Sequence, residues 1–183
     1  EGRAQTQTQT QKMTVYIPPD WQDTINCYAA RRHNKHRFDD NHRVLVPDYW
    51  KKGLTGEVAF ALHYGLAPDL EDRPAGDGGV DFQIGDMAID VKTTNNIDLG
   101  LLLPVVNSAE EVKRQDTYLV LAHYRSADTI TLVGWIRDAD ARTFRSDVVI
   151  GRGPLNHIVP LARLSPLDLL HARMQGAKRS IVV

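Results

Sequence analysis

Residues 80–94, VDFQIGDMAIDVKTT, form two strand-like runs joined by Gly85-Asp86, and this hairpin constrains the fold more than any other stretch. A Gly-Asp pair between two runs of β-formers is typical of a two-residue hairpin turn. The turn sets the register, so that Ile84 pairs with Met87 and Phe82 pairs with Ile89. Because side chains alternate between the faces of a strand, one face is apolar. Its members are Val80, Phe82, Ile84, Met87, Ile89 and Val91.

The opposite face of the hairpin is polar and brings two acids together. It carries Asp81, Gln83, Ala88, Asp90, Lys92 and Thr94. The register places Asp81 directly opposite Asp90, where Cβ atoms lie about 4.5–5.5 Å apart and like charges destabilise the pair. Lys92 follows two residues later on the same side. A positive group is therefore expected between the two carboxylates.

The bulk composition limits the class of protein. The chain has 183 residues, a net charge of −1 and a single cysteine, Cys27, which fits one domain without a disulfide framework or a cysteine-rich zinc site. The net charge gives no general case for a nucleic-acid or membrane partner, so any basic surface must be local. No run approaches the ~18–20 apolar residues of a membrane span, and nothing resembles a signal peptide. The expected location is the cytoplasm.

The pattern along the chain predicts an α/β sandwich around a mixed sheet. The polar, repetitive residues 1–12 are expected to be a disordered leader, natural or left over from cloning, and residues 13–183 a single domain. Helices are expected at 21–32 after the cap Asp20, at 47–64 before Gly65, and from Pro166 after the cap Ser165 to Gly176. Strands are expected in the hairpin and at 117–124 and 129–136, with a short helix at 107–115. Trp50 and Trp135 are expected in the core.

Glu57 on the second helix, Val80-Asp81 on one strand and Asp90-Val91-Lys92 on the next make a pattern that resembles the PD-(D/E)xK nuclease superfamily. The resemblance covers about residues 50–137 and implies a restriction-endonuclease-like core, a mixed β-sheet flanked by helices in αβββαβ order. Val80 stands where the family usually has proline, and Asp90 where it more often has glutamate. The resemblance also implies the backbone carbonyl of Val91 as a metal ligand.

The predicted chemistry is hydrolysis of phosphodiester bonds by an endonuclease. Mg²⁺, for which Mn²⁺ is expected to substitute, binds through one or two carboxylates, waters and a substrate phosphate, and Asp81 and Asp90 supply the carboxylates. Lys92 is expected to orient the attacking water and to neutralise charge on the phosphate. Glu57 is expected to hold a second metal ion or to act through water. The expected substrate is DNA, and a homodimer or an accessory protein is left open.

Other polar residues are candidates for substrate binding. They are Gln83, Thr93 and Thr94 on the hairpin and Arg31, Arg32, Lys35 and Arg37 in a basic arm. Ordinary strand-surface roles and a solvated connector explain them equally well. His33, His36 and His42 lie close in sequence, but no cysteine or acid completes a familiar zinc spacing.

The pattern has alternative interpretations. Taken alone, Asp90 and Lys92 are more simply explained as solvated charges on a half-exposed hairpin. The triplet Glu111-Val112-Lys113 repeats the acid-x-lysine spacing elsewhere, although only the Asp90 triplet has an opposed aspartate and an acidic helix residue upstream. Two other functions therefore stay open. One is a non-catalytic nucleic-acid-binding module with the same fold, and the other is a structural or assembly protein with a solvated polar hairpin face.

Overall fold

The computed structural model describes residues 12–35, 47–68, 70, 80–105, 116–144, 148–149 and 155–179, which form a mixed α/β structure. The helices are α1 (Pro19–Lys35), α2 (Pro47–Tyr64), α3 (Asp138–Ala141) and α4 (Leu167–Arg179). The strands are β1 (Met13–Tyr16), β2 (Phe82–Ile84), β3 (Met87–Thr94), β4 (Leu101–Pro104), β5 (Thr117–Ser126), β6 (Thr129–Arg137), β7 (Val148–Val149) and β8 (Leu155–Val159). No helix within these ranges is long and apolar enough to cross a membrane.

A five-stranded mixed sheet lies at the centre, with the strand order β1-β6-β5-β3-β2. Its strands β3 and β5 pair in parallel, and its other neighbouring strands pair antiparallel. A second, antiparallel sheet has the order β4-β8-β7. Because parallel neighbours require a crossover connection, the chain leaves the central sheet after β3, contributes β4 to the second sheet and returns as β5.

The two faces of the central sheet bury different hydrophobic clusters, as the alternation along β5 shows. Val120 and Ala122 belong to the cluster that the sheet forms with α1, α2 and α4. Leu119 and Leu121 belong to the cluster that includes Leu101 of β4. Helices α1, α2 and α4 therefore cover one face of the sheet, and the second sheet with the short helix α3 covers the other.

The predicted hairpin register is confirmed. Phe82 pairs with Ile89, Gln83 with Ala88 and Ile84 with Met87, and Gly85 takes the positive φ of 62° that the tight turn requires. The expected apolar face is buried at every position except Val80, which is partly exposed. Asp81 lies just before β2, so the paired strands end before the predicted Asp81–Asp90 pair.

Helix α2 has the predicted bounds, Pro47–Tyr64, and Gly65 ends it with a φ of 63°. Helix α1 begins earlier than predicted, so Asp20 lies in its first turn and is not the cap. The carbonyl of Pro18 accepts a hydrogen bond from the N–H of Gln22 at 3.1 Å, and proline is favoured at the first helical position that Pro19 occupies.

The closing helix was predicted incorrectly at both ends. Ser165 forms a bridge with Trp135, in which each backbone N–H donates to the other residue's carbonyl, at 2.7 and 3.0 Å. It therefore does not cap α4, which begins at Leu167. Gly176 does not end the helix, because it lacks the positive φ of a terminating glycine and the helix continues to Arg179.

Several elements were not predicted. Strand β1 contributes only four residues after a polar stretch, too few to show a clear alternation, yet it pairs along β6 from Met13 to Tyr16. The second sheet gains β7 and β8 from a region without strong periodicity. Strand β6 is an interior strand, and β5 occupies the middle of the sheet. The predicted helix at 107–115 and the leader at 1–11 lie outside the described residues.

Gly56 lies where α2 approaches β3 most closely, and a Cβ at this position would overlap Oγ1 of Thr93. We expect Gly56→Ala to lower the free energy of unfolding by about 1–3 kcal/mol, because overpacking a tight contact shifts the backbone. Gly176→Ala is the matched helical control, since a Cβ there meets nothing within 4 Å. It should stabilise the protein by about 0.5–1 kcal/mol. Urea denaturation measures both changes, and equal effects would contradict the close approach of α2 to β3.

Candidate active site

A cleft opens where β3 extends beyond its neighbour β2. The paired part of β2 ends at Phe82, opposite Ile89, while β3 continues to Thr94. Within the described residues no strand pairs with the last residues of β3 on this side, which is the open edge of β3. Helix α2 covers one side of this edge. The resulting cleft has a volume of about 520 Å³. All five residues predicted for the catalytic and metal site line it: Glu57, Asp81, Asp90, Val91 and Lys92.

The backbone of β3 holds the carboxylate of Asp81. The N–H of Val91 donates to Oδ2 of Asp81 at 2.6 Å. The N–H of Asp81 itself donates to the carbonyl of Ile89 at 2.8 Å. These two hydrogen bonds fix the side chain and the main chain of Asp81 against β3 although the residue lies outside β2. The acid is therefore held in one position before any ligand binds.

Asp90 and Lys92 form a short ion pair on the same face of β3. The Nζ atom of Lys92 lies 2.6 Å from Oδ2 of Asp90, and the exposed fractions of the two side chains are 33% and 3%. A buried carboxylate requires such a partner, because burial removes its hydration. Asp90 is thus not the solvated surface charge that the alternative interpretation assumed. Lys92 reaches from this buried acid into the cleft.

Asp81 lies in an environment that disfavours its negative charge. Burial raises the pKa of its carboxyl group well above the ordinary value, and the negative charges of Glu57 and Asp90 raise this pKa further. The hydrogen bond from Val91 and the charge of Lys92 act on the same pKa in the opposite direction but are weaker. The three acids are therefore close enough to repel one another, and a bound cation would relieve that repulsion.

Helix α2 brings Glu57 to the cleft and leaves space around it. Glu57 is partly buried, and the preceding turn of the same stripe holds Gly53. A Cβ at Gly53 would lie 4.0 Å from Oε1 of Glu57. Gly56 faces Thr93 on β3, which allows α2 to lie close to the strand. Gly56 thus allows α2 to lie close to β3, whereas a Cβ at Gly53 would make only an ordinary van der Waals contact with Glu57.

The three polar hairpin residues predicted for substrate binding, Gln83, Thr93 and Thr94, have side chains that contact the protein itself. The hydroxyl of Thr93 is buried against Gly56 without a hydrogen-bond partner, although the residue lines the cleft. The hydroxyl of Thr94 bonds the backbone of Asn96 at 3.1 Å. The amide of Gln83 donates to the carbonyl of Gly85 at 2.8 Å, at the tip of the hairpin. Gln83 and Thr94 do not lie among the described residues of the cleft lining, and their role in substrate binding stays a prediction.

The predicted basic arm contributes one described side chain to the cleft. Arg32, near the end of α1, lines it. Arg31 is exposed, with its guanidinium 5.3 Å from the centre of the Tyr28 ring. The side chain of Lys35, and Arg37 with His36 and His42, lie outside the described residues. Among the described residues, the basic side chains that line the cleft are Arg32, Lys52 and Lys92.

The first turns of α2 add lining residues that were not predicted. They are Asp48, Tyr49, Trp50 and Lys52. Trp50, which was expected in the core, is partly buried and lines the cleft while also packing against the main cluster. Helical spacing contained the signal, because Trp50, Gly53 and Glu57 are separated by three and four residues and share one stripe.

Within the described ranges, no three or more His, Cys, Asp or Glu side chains are arranged so that they could hold a metal ion. The acids of the cleft are thus electrostatically coupled without forming a closed ligand cage. The chain matches no family model, no curated protein and no solved structure. The geometry and chemistry of the cleft are therefore the basis of any functional assignment.

Because the pKa of Asp81 is raised, its ionised form destabilises the folded state. The unfolded carboxyl group loses its proton near 3.8, so stability falls as the pH rises above this value and stays lower at neutral pH. We expect Asp81→Asn, measured in EDTA, to melt at a higher temperature than the wild type at neutral pH. The amide oxygen still accepts the hydrogen bond from Val91. The difference should shrink as the pH falls towards 3.8.

Thermal melts across this pH range measure the effect. Asp116→Asn is the control, since the side chain of Asp116 is 93% exposed and its ion pair with Arg137 lies at the surface, so its substitution should not raise the melting temperature. If Asp81→Asn melted below the wild type at neutral pH, the inference that burial and the charges of Glu57 and Asp90 destabilise ionised Asp81 would be contradicted.

Proposed function

We propose that this chain is a Mg²⁺-dependent nuclease of the PD-(D/E)xK type that hydrolyses phosphodiester bonds in DNA. The observation that carries the proposal is the convergence of Asp81, Asp90, Lys92 and Glu57 in one cleft at the open edge of β3. Strand β3 supplies Asp90 and Lys92, helix α2 supplies Glu57, and Asp81 comes from the residue just before β2. A solvated hairpin face gives no reason for Asp90 to be buried or for Glu57 to join the same cleft.

The restriction-endonuclease-like fold belongs to the same proposal. Helix α2 precedes the hairpin of β2 and β3, and a crossover then leads to β5, which lies parallel to β3. A helix, a hairpin, β4 and then β5 support the αβββαβ order that the motif implies, although β4 lies in the second sheet and the helix expected between β4 and β5 falls outside the described residues. The mixed sheet with helices on one face supports the assignment at the level of architecture.

The donor set suits Mg²⁺, with Mn²⁺ as a substitute. This ion needs only one or two protein carboxylates, because it keeps several waters and takes oxygens from a substrate phosphate. Asp81 and Asp90 would hold it with the carbonyl of Val91, and Glu57 would hold a second ion or act through water. The raised pKa of Asp81, caused by burial and by its acidic neighbours, favours a cation at this position. When bound, Mg²⁺ supplies polarisation of the phosphate and of the attacking water.

The protein's own side chains and backbone then hold the groups that take part in the reaction. The N–H of Val91 holds Asp81, and Asp90 holds the ammonium of Lys92 at the cleft wall. That ammonium donates hydrogen bonds to the attacking water and to the phosphate oxygens on which negative charge increases. Water adds to phosphorus, one P–O ester bond breaks and the departing oxygen takes a proton. The products are a phosphomonoester and a free hydroxyl group.

Cleavage assays with Lys92→Ala test the catalytic role. We expect the wild type to cut DNA with Mg²⁺ or Mn²⁺ and not with EDTA, and the variant to be slower by at least about 100-fold. Supercoiled plasmid, linear duplex and single-stranded DNA are compared in parallel. The control is Lys178→Ala, an exposed lysine of α4. Equal cutting by the wild type and Lys92→Ala would point to contamination or to a different active site, and would count against the proposal.

Binding of Mg²⁺ is measured separately by thermal shift. We expect saturating Mg²⁺ to raise the melting temperature of the wild type by about 5–10 °C, because a ligand that binds only the folded state stabilises it. Asp90→Ala and the milder Asp90→Asn should lose this rise, whereas Asp116→Ala, at an exposed acid, should keep it. Without a rise in the wild type, and with no cleavage, the structural or assembly role would be favoured. A rise without cleavage would favour a binding module or a missing partner.

A further inference from the structure

We propose, resting on the proposed function, that the cleft selects DNA with an unpaired strand and that Tyr49 stacks on one of its unstacked bases. The preferred substrate is then a single strand, a frayed end or a flap. Continuous duplex would be a poorer substrate.

Tyr49 has the properties of a stacking residue. It lines the cleft and its side chain is strongly exposed, at 58%, in the first turn of α2. Large aromatic side chains are usually buried in part, because their burial contributes more to stability than that of most residues. An exposed ring at a cleft that also holds basic groups is typical of proteins that bind single-stranded nucleic acid, where aromatic side chains stack on the bases.

Trp50 holds the Tyr49 ring in a defined orientation. The two ring centres are 5.4 Å apart and their planes are at 84°, which is an edge-to-face contact. Trp50 itself packs against the main hydrophobic cluster. Because the indole is anchored, less side-chain entropy is lost when a base settles on Tyr49. The pair therefore forms a preorganised platform rather than a freely rotating ring.

Basic side chains near this platform suit a phosphate backbone. Arg32 and Lys52 both line the cleft. Lys52 is positioned by Asp48, with Nζ 3.4 Å from Oδ2, and by Tyr124, whose ring centre is 5.8 Å from Nζ. Stacking by Tyr49 and phosphate contacts by these cations are the two components of sequence-tolerant binding to a single strand.

The distance from the platform to the acids fits a short stretch of one strand. Tyr49 and Glu57 are eight residues apart on α2, which corresponds to about 12 Å along the helix axis. Three to four stacked nucleotides, at about 3.4 Å each, span this distance. A base inside a continuous duplex is covered by neighbours on both faces, so a protein ring can stack on it only after the base is displaced. The platform of Tyr49 and Trp50 therefore favours DNA with an unpaired strand over continuous duplex.

Fluorescence anisotropy in EDTA tests binding apart from catalysis. The probes are a labelled 20-nucleotide single strand and the matching blunt duplex, and the proteins are wild type, Tyr49→Ala and Tyr49→Phe. The control is Tyr16→Ala, since Tyr16 is similarly exposed, at 60%, but lies on β1 and not in the cleft lining. The same proteins, with Lys92→Ala, are then assayed for Mg²⁺-dependent cleavage of the single strand, the duplex and a flap.

We expect Tyr49→Ala to bind the single strand about 5- to 150-fold more weakly, the range that one base–aromatic stack supplies. The affinity of Tyr49→Ala for the duplex should change by less than about twofold. Tyr49→Phe and Tyr16→Ala should bind both probes like the wild type. Equal weakening for both probes, or no weakening, would overturn the stacking proposal. Cleavage that Lys92→Ala abolishes would still support the nuclease in that case. Selective weakening without any cleavage would support the platform and reject the nuclease.

Discussion

Glu57, Asp81 and Asp90 repel one another at the open edge of β3, and the other contacts of the cleft hold these acids in place against that repulsion. Asp81 is held by a backbone hydrogen bond from Val91, and Asp90 is neutralised by Lys92, yet burial and neighbouring charges still raise the pKa of Asp81. Such an arrangement costs folding free energy in the absence of a ligand. Hydrophobic packing of the hairpin's other face, where Ile89 is fully buried, offsets this cost. The same strand thus stabilises the core with one face and carries a destabilising charge cluster on the other.

Local signals predicted the parts of the fold that depend on few residues. The turn at Gly85 set the hairpin register, and Gly65 ended α2, because only the left-handed backbone that glycine favours allows these turns. Elements that depend on distant partners were missed. Strand β1 is short and is defined by its pairing with β6, and Ser165 pairs with Trp135 instead of capping α4. Gly176 shows that glycine alone does not predict a helix end. Helix α4 continues through it to Arg179, and Ala177 packs against the main hydrophobic cluster.

The candidate site, like the fold, was predicted from local patterns and missed where it depends on distant contacts. Strand alternation placed Asp81, Asp90 and Lys92 on one side, and the structure has all of them, with Glu57, in the cleft. Alternation also placed Gln83 and Thr94 on that side, but it does not reveal that their side chains bond the local backbone. Tyr49 was missed because its place in the cleft depends on how α2 lies against β3, where Gly56 faces Thr93, a contact between residues far apart in sequence.

The pairing of β1 with β6 has a consequence for synthesis of the chain. Met13 pairs with Leu132 and Tyr16 with Thr129, so more than a hundred residues must be translated after β1 before its partner exists. At about 5–20 residues per second, this takes roughly ten seconds. Strand β1 therefore waits without a partner on the ribosome, while α2, β2 and β3 have already emerged. None of the described acidic and basic residues that line the cleft lies on β1, so α2, β2 and β3 are available before β1 and β6 can pair at their edge of the sheet.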